Sequence, residues 1–299
     1  MIVLILLVLP YTVICSLGDK ETIFVRCVEK CLKSEAHKND HSWFQWELNR
    51  ECQYNCMMII TKAKEKNKMP IFQYFGKWPF YRFMGLQEPA AVIFSVMNCF
   101  AHIHCWFIYK GSVKKSFEFY KITQINNVVN IFAWVCAAIF HAKDTILTER
   151  LDYFGASLIM SFSILLSVAR FSGIHHKLTY TSGLLLLLNL FYHTYTMNFI
   201  EFDYSHNMRV MIVLGLVNIS FWMVWCFKHS HRHYVWKCVV TMVGTFLFAS
   251  LELWDFPPIF YTFDAHSLWH LSTVPLTYLW YRFLYDDACY ELYERFKLA

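Results

Sequence analysis

The chain reads as an all-α polytopic membrane protein: a bundle of seven transmembrane helices with a small disulfide-stapled head at its N-terminal end. Three observations carry that reading. Of its 299 residues, 57% are hydrophobic and only 16% charged, where a soluble domain carries roughly 25% charge. Apolar stretches of about 18 residues or more, enough to cross ~30 Å of hydrocarbon, recur through most of the length. Basic residues collect in short loops beside those stretches and not on one soluble face, so no nucleic-acid partner is expected.

Residues 1–17 begin with the apolar run MIVLILLVLPYTVICS and give way to Gly18-Asp19-Lys20, the pattern of a secretory signal peptide. The usual basic n-region is missing, which leaves an uncleaved anchor as the alternative. Either form delivers the next segment to the lumen. That segment, 18–88, is the luminal head, and it holds the twin pairs Cys27-x3-Cys31 and Cys52-x3-Cys56. The pairs suggest two short helices stapled antiparallel by two disulfides, as an oxidising lumen favours. The natural nesting is Cys27–Cys56 with Cys31–Cys52, one of three connectivities open to four cysteines; a four-cysteine zinc site is the rival reading. Aromatics from Phe72 to Phe83 suit the membrane interface.

Seven candidate spans fill 89–285, at about 89–109, 125–142, 153–171, 180–199, 210–227, 236–254 and 266–285. The strongest is 180–199, with its leucine run from Leu184 to Leu188, and the weakest is 125–142. With the head luminal, the loops expected in the cytosol contain Lys110, Lys114, Lys115, Lys121, Arg170, Lys177, Lys228, Arg232 and Lys237. The short luminal loops contain only Lys143, Arg150 and Arg209, so signal and loop charge agree on one topology. The tail, 286–299, is then cytosolic.

Under that topology His141, Asp152, His266 and His270 all sit at the luminal ends of spans. His266 and His270 are four apart, which stacks both imidazoles on one helix face. A third imidazole, His141, from a neighbouring helix would complete a three-histidine zinc site with an open position. Ionisable groups at such places are expensive and are functional suspects. A metal there would polarise an ester carbonyl and acidify a water, and Asp152 would orient or deprotonate that water or brace one imidazole. The bland alternative for any one membrane histidine is an interhelical hydrogen bond. His102 and His104 lie deep in the first span, too far from the luminal group to join it; for His193 packing is preferred over lining a cavity, and His229, His231 and His233 are read as solvated loop positions. Glu88, Asp203 and Asp264 are luminal candidates for contact with a substrate headgroup; a helix-start charge is the other reading of Glu88.

Several stretches then resemble those of the Per1-like family. They are Phe75-Gly76-Lys77-Trp78-Pro79-Phe80, Gln87-Glu88-Pro89-Ala90, Phe140-His141 with Asp144-Thr145, Leu151-Asp152-Tyr153-Phe154, Phe202-Asp203-Tyr204, Leu251-Glu252-Leu253 with Asp255-Phe256-Pro257-Pro258, and Asp264-Ala265-His266 with Trp269-His270. They follow the family's order over nearly the whole chain. The family is similar in turn to a superfamily of seven-span metal-dependent hydrolases that includes alkaline ceramidases and adiponectin receptors. The resemblance implies one zinc on His141, His266 and His270 with Asp152 beside it. It also implies removal of the sn-2 acyl chain from GPI-anchored proteins in the Golgi, a phospholipase A2-type step.

One position departs from the superfamily pattern. Ala137 stands one helical turn before His141, where a serine is expected. Losing an oxyanion donor can cost about 10²–10³ in rate; Ser157 or Ser161 on the third span are the candidates to replace it. The competing readings are a lipid-binding or receptor-like protein with structural zinc, and a quality-control partner of GPI-anchored cargo. Arg295 and Lys297 near the end of the chain resemble a dibasic signal for cycling between Golgi and endoplasmic reticulum, with a plain basic tail as the alternative.

Overall fold

A computed structural model describes residues 16–35 and 46–298. The expected signal peptide therefore lies outside the described residues except for Ser16 and Leu17. The described chain is helical throughout, with isolated antiparallel bridges at three turns in place of any strand. It forms two compact units, Met1–Pro89 with Asp255–Ala265, and Ala90–Trp254 with His266–Ala299.

In the first unit α1 (Thr22–Glu35) and α2 (Leu48–Lys66) run antiparallel, because Cys27 joins Cys56 and Cys31 joins Cys52. The Cα–Cα distances are 5.8 and 5.7 Å. The pairing is the nested one, and it excludes the four-cysteine zinc reading. Phe24, Cys56, Ile60 and Tyr74 form the small core beneath the staples. Loops complete the unit through side-chain clasps. The Asp255 carboxylate accepts Trp78 Nε1–H at 2.6 Å and Gln73 Nε2–H at 2.8 Å. Lys77 pairs with Glu88 at 2.7 Å, and Tyr81 N–H donates to Tyr261 O at 2.9 Å. The bonds to Asp255 and Tyr261 join segments far apart in sequence and explain why 255–265 belongs with the head.

The second unit contains α3 (Pro89–Ser112), α4 (Tyr120–Ala142), α5 (Ile146–Ser172), α6 (Lys177–Tyr195), α7 (Tyr204–Lys228), α8 (Val235–Ala249), the single turn α9 (Leu251–Trp254) and α10 (Ala265–Leu298). Each expected span has its helix, though only four of them, α3, α4, α5 and α7, are long and apolar enough to cross a membrane. The expected ranking is reversed: the weak candidate qualifies and the leucine-rich one does not. Tyr120–Ala142 gains length by starting five residues early. In α6 the leucines are diluted by Lys177, Thr179, Thr181, Ser182, Asn189 and His193, and the α-helix stops at Tyr195 before a π-helical turn, Thr196–Ile200. Apolar α8 is only 15 residues long.

Local chemistry sets the helix starts. Thr145 and Thr148 form a reciprocal capping box at α5, and Asp203 Oδ1 accepts Ser205 N–H at 2.8 Å to cap α7. The α4–α5 hairpin is close-packed: a Cβ added at Gly155 would lie 3.1 Å from both Cα and Cβ of Ala133. The largest core, built around Tyr109, Trp222, Trp225, Tyr234 and Phe283, lies at one end of the bundle. The end of α4 and the starts of α3, α5 and α10 meet at the opposite end.

Candidate metal centre

His141, one residue before the end of α4, and His266 and His270, in the first turns of α10, converge although 125 residues separate His141 from His266. One ligand nitrogen from each lies within 4.8 Å of the others. The ring centroids are 4.4 Å apart for His266–His270, 5.0 Å for His141–His266 and 5.1 Å for His141–His270. His141 and His270 are buried, and His266 is half-buried and forms the open side.

The donor set fits a metal. His141 Nε2 and His266 Nε2 are 3.2 Å apart. Two ligands bonded at 2.0–2.1 Å in a tetrahedron lie about 3.3 Å apart. Two facing nitrogen lone pairs at that separation repel unless a proton or a cation lies between them. His270 is held in the right tautomer from behind. The Ser95 hydroxyl has one hydrogen and directs it to Ala91 O at 2.7 Å. Its oxygen therefore accepts from His270 Nδ1–H at 2.9 Å, which leaves the Nε2 lone pair for the centre. Asn98 Nδ2–H donates to His270 O at 2.7 Å and fixes the start of α10 against α3, while Trp134 packs edge-on to the His270 ring at 5.1 Å. Ser95 and Asn98 are fully buried. Sequence reasoning missed both, because a serine or asparagine inside an apolar span carries no pattern of its own.

The other expected residues are placed by their own helices and partners. Asp152, in the second turn of α5, is not a member of the ligand group, and its charge reaches Cys136 on α4, one turn and a residue before His141. Ala137 is buried. Ser157 and Ser161 each donate to their own helix, to Tyr153 O at 3.0 Å and Ser157 O at 2.9 Å. Glu88 is buried in the first unit against Lys77. Asp203 is the cap of α7 and lies 3.6 Å from Arg209, and Asp264 immediately precedes α10. Two of the other histidines make interhelical hydrogen bonds, His102 Nδ1 to Tyr281 Oη at 3.1 Å and His193 Nε2 to Asn207 Oδ1 at 3.1 Å, whereas His229, expected to be solvated, stacks on Trp225 at 4.5 Å.

Comparison with known proteins gives one consistent result. Residues 39–288 match the Per1-like family. A "GPI-specific phospholipase A2-like PGAP3" of Cricetulus griseus is 36% identical over 301 residues, 95% of this chain and 93% of that protein. The protein of the same name in Homo sapiens is also 36% identical over the same shares. A "Post-GPI attachment to proteins factor 3" of Drosophila melanogaster is 34% identical over 300 residues, 94% of this chain and 91% of that protein. No solved structure matches the chain.

Proposed function

The chain belongs to the Per1-like family, and from that premise we propose that it remodels GPI anchors as a zinc-dependent hydrolase of the sn-2 acyl ester. The observation that carries the proposal is the convergence of His141, His266 and His270 with their nitrogens within 4.8 Å. Relatives over almost the whole chain bear names that say phospholipase A2-like and GPI-specific. A zinc ion on those three imidazoles would supply Lewis acidity toward an ester carbonyl and a water acidic enough to react near neutral pH.

The protein's own groups would do the rest. His141, His266 and His270 hold the centre, and Ser95 keeps His270 in its ligating tautomer. Asp152 takes the proton of the attacking water, whose oxygen bonds to the carbonyl carbon. The carbon–oxygen bond to the glycerol then breaks as Asp152 returns the proton to the leaving glycerol oxygen, giving a fatty acid and a lyso lipid. Burial of His141 and His270 keeps bulk water from the inner side, while half-buried His266 marks the side from which the ester enters. In this reading the site faces the Golgi lumen at headgroup depth, GPI-anchored proteins are the substrates, and Glu88, Asp203 and Asp264 are candidates to meet the headgroup beyond the structural bonds they already make.

One observation favours a second reading, a receptor-like or cargo-handling protein with structural zinc: Ala137 has no hydroxyl, and Ser157 and Ser161 spend theirs on their own helix. Full-length protein in detergent decides between the two. Bound metal is measured together with fatty-acid release from a GPI-anchored substrate. About one zinc per chain with turnover, both lost in His270→Ala, is the expected result. Zinc without turnover would favour the second reading, and absence of metal would overturn both.

A further inference from the structure

Three turns of the first unit place bulky apolar residues at positive φ. Phe75-Gly76 has φ +51° and +78° and is closed by the Tyr74–Lys77 bridge; Met84-Gly85 has +50° and +82° and is closed by Phe83–Leu86. Phe260 and Tyr261, both at +55°, lie in a loop closed by Ile259–Phe263. Two-residue turns of this hand favour Asn-Gly, Asp-Gly or Gly-Gly, and a large side chain is strained there. Strain that persists points towards function when nothing internal compensates it. Phe75 has an internal compensation, since its ring packs on Phe24 with centroids 5.9 Å apart.

Met84 and Phe260 project outwards instead, at 87% and 81% exposed, with Phe83 and Ile259 exposed beside them. Their stems are rigid. Gly85 O accepts Trp46 Nε1–H at 3.3 Å, Arg82 N–H donates to Tyr54 Oη at 3.1 Å, and Tyr261 O accepts Tyr81 N–H at 2.9 Å. Rigid stems presenting apolar tips are built to enter something.

Chain continuity says what. Gly85 is four residues from Pro89, where α3 begins, and α3 is long and apolar enough to cross the membrane. Tyr261 is four residues from Ala265, where α10 begins, and the first turns of α10 are bonded to α3 through Ser95 and Asn98. Four residues reach at most about 14 Å, and the headgroup layer on each side of the hydrocarbon is roughly 5–8 Å deep. Both tips are thus tethered close to where the chain enters the bilayer. We propose that Met84 and Phe260 insert into the acyl-chain boundary of that same leaflet and anchor the head to the lipid surface. This inference needs the membrane span of α3 and does not depend on hydrolase activity.

The test places a benzophenone amino acid at residue 84 or 260 of the full-length protein. The protein is reconstituted in phosphatidylcholine vesicles bearing radiolabelled acyl chains. Lys68, exposed on the same unit and also at positive φ, is the control position. Several-fold more lipid label at 84 and 260 than at 68 is expected. Label equal to the control, or cross-linked protein dimers in place of lipid, overturns the proposal. In a second experiment the probe sits at Phe83 in a Met84→Gly, Phe260→Gly background. Glycine is at ease at positive φ, so this double variant folds without strain. Lipid capture at Phe83 should fall to the control level, and undiminished capture overturns the insertion of the tips.

Discussion

Ser95 and His270 are 175 residues apart and 2.9 Å from each other, and their contact decides which nitrogen of the ring faces the centre. Replacing Ser95 by alanine removes the acceptor behind Nδ1 and leaves a buried N–H without its bond. Loss of such a partner typically weakens metal affinity about 10–100-fold. Ser95→Ala should show that loss in zinc titrations with a competing chelator, while Ser95→Thr, which keeps the hydroxyl, should restore most of it. Equal affinity in Ser95→Ala and the parent would mean that Ser95 only packs. The three-histidine cluster was legible, because His266 and His270 share a helix face by spacing and His141 ends another span. Ser95 was not: its only local signal is a hydroxyl four residues after Ala91, which every back-bonding serine in a helix shares. Asp203 was legible as a polar residue but its capping bond to Ser205 was not expected.

The helix pair α4–α5 carries His141 on one member and Asp152 on the other. One close approach is Gly155 against Ala133, one turn from Asp152 and two from His141. The neighbouring atom there is backbone, which cannot swing aside. Gly155→Val should therefore force the helices apart at a cost of about 1–3 kcal/mol. The ligand histidines reside on α4 and α10, so they should keep their metal, whereas Asp152 on α5 shifts away from them. The expected signature is lower kcat with near-normal zinc content, read from single-turnover fatty-acid release and metal analysis on the same sample. Zinc lost in proportion to activity would place Gly155 in general folding. Hydropathy located these helices, yet it misjudged two of them. It saw the leucines of α6 but not its early end at Tyr195, and it clipped α4 because Lys121, Thr123 and Gln124 dilute its first turns. Helix ends follow capping and backbone geometry, which an apolar average does not contain.

Across the second unit, the histidine cluster and the largest aromatic core lie at opposite ends. Opposite the histidines, Arg170 pairs with Asp287 at 2.7 Å and with Glu291 at 3.6 Å, and Arg232 pairs with Glu291 at 2.8 Å and with Asp287 at 3.4 Å. Tyr234 Oη donates to Asp287 at 2.9 Å. Two cations and two anions balance, and they bind α5, α10 and the entry to α8 around the aromatic core. Arg170 and Arg232 entered the sequence reading only as loop positives beside spans. Their carboxylate partners lie 117 and 55 residues further on, a relation that only the fold reveals. The topology inference is not weakened, since acidic residues contribute little to the positive-inside bias. What changes is the meaning of those charges. Arg170 keeps only 6% of its side chain exposed, so Asp287→Ala would strand a buried cation, a loss of about 3–5 kcal/mol. A lowered melting temperature in detergent should accompany it, and the double change Arg170→Met with Asp287→Leu should recover most of the loss because the stranded charge is gone. Zinc content per folded chain should stay at the parent level in both variants, as the histidine cluster draws no contact from this network. A fall in zinc affinity that tracked the melting temperature would show instead that the two ends of the bundle are coupled, and that the charge network holds the metal centre in register as well as the fold.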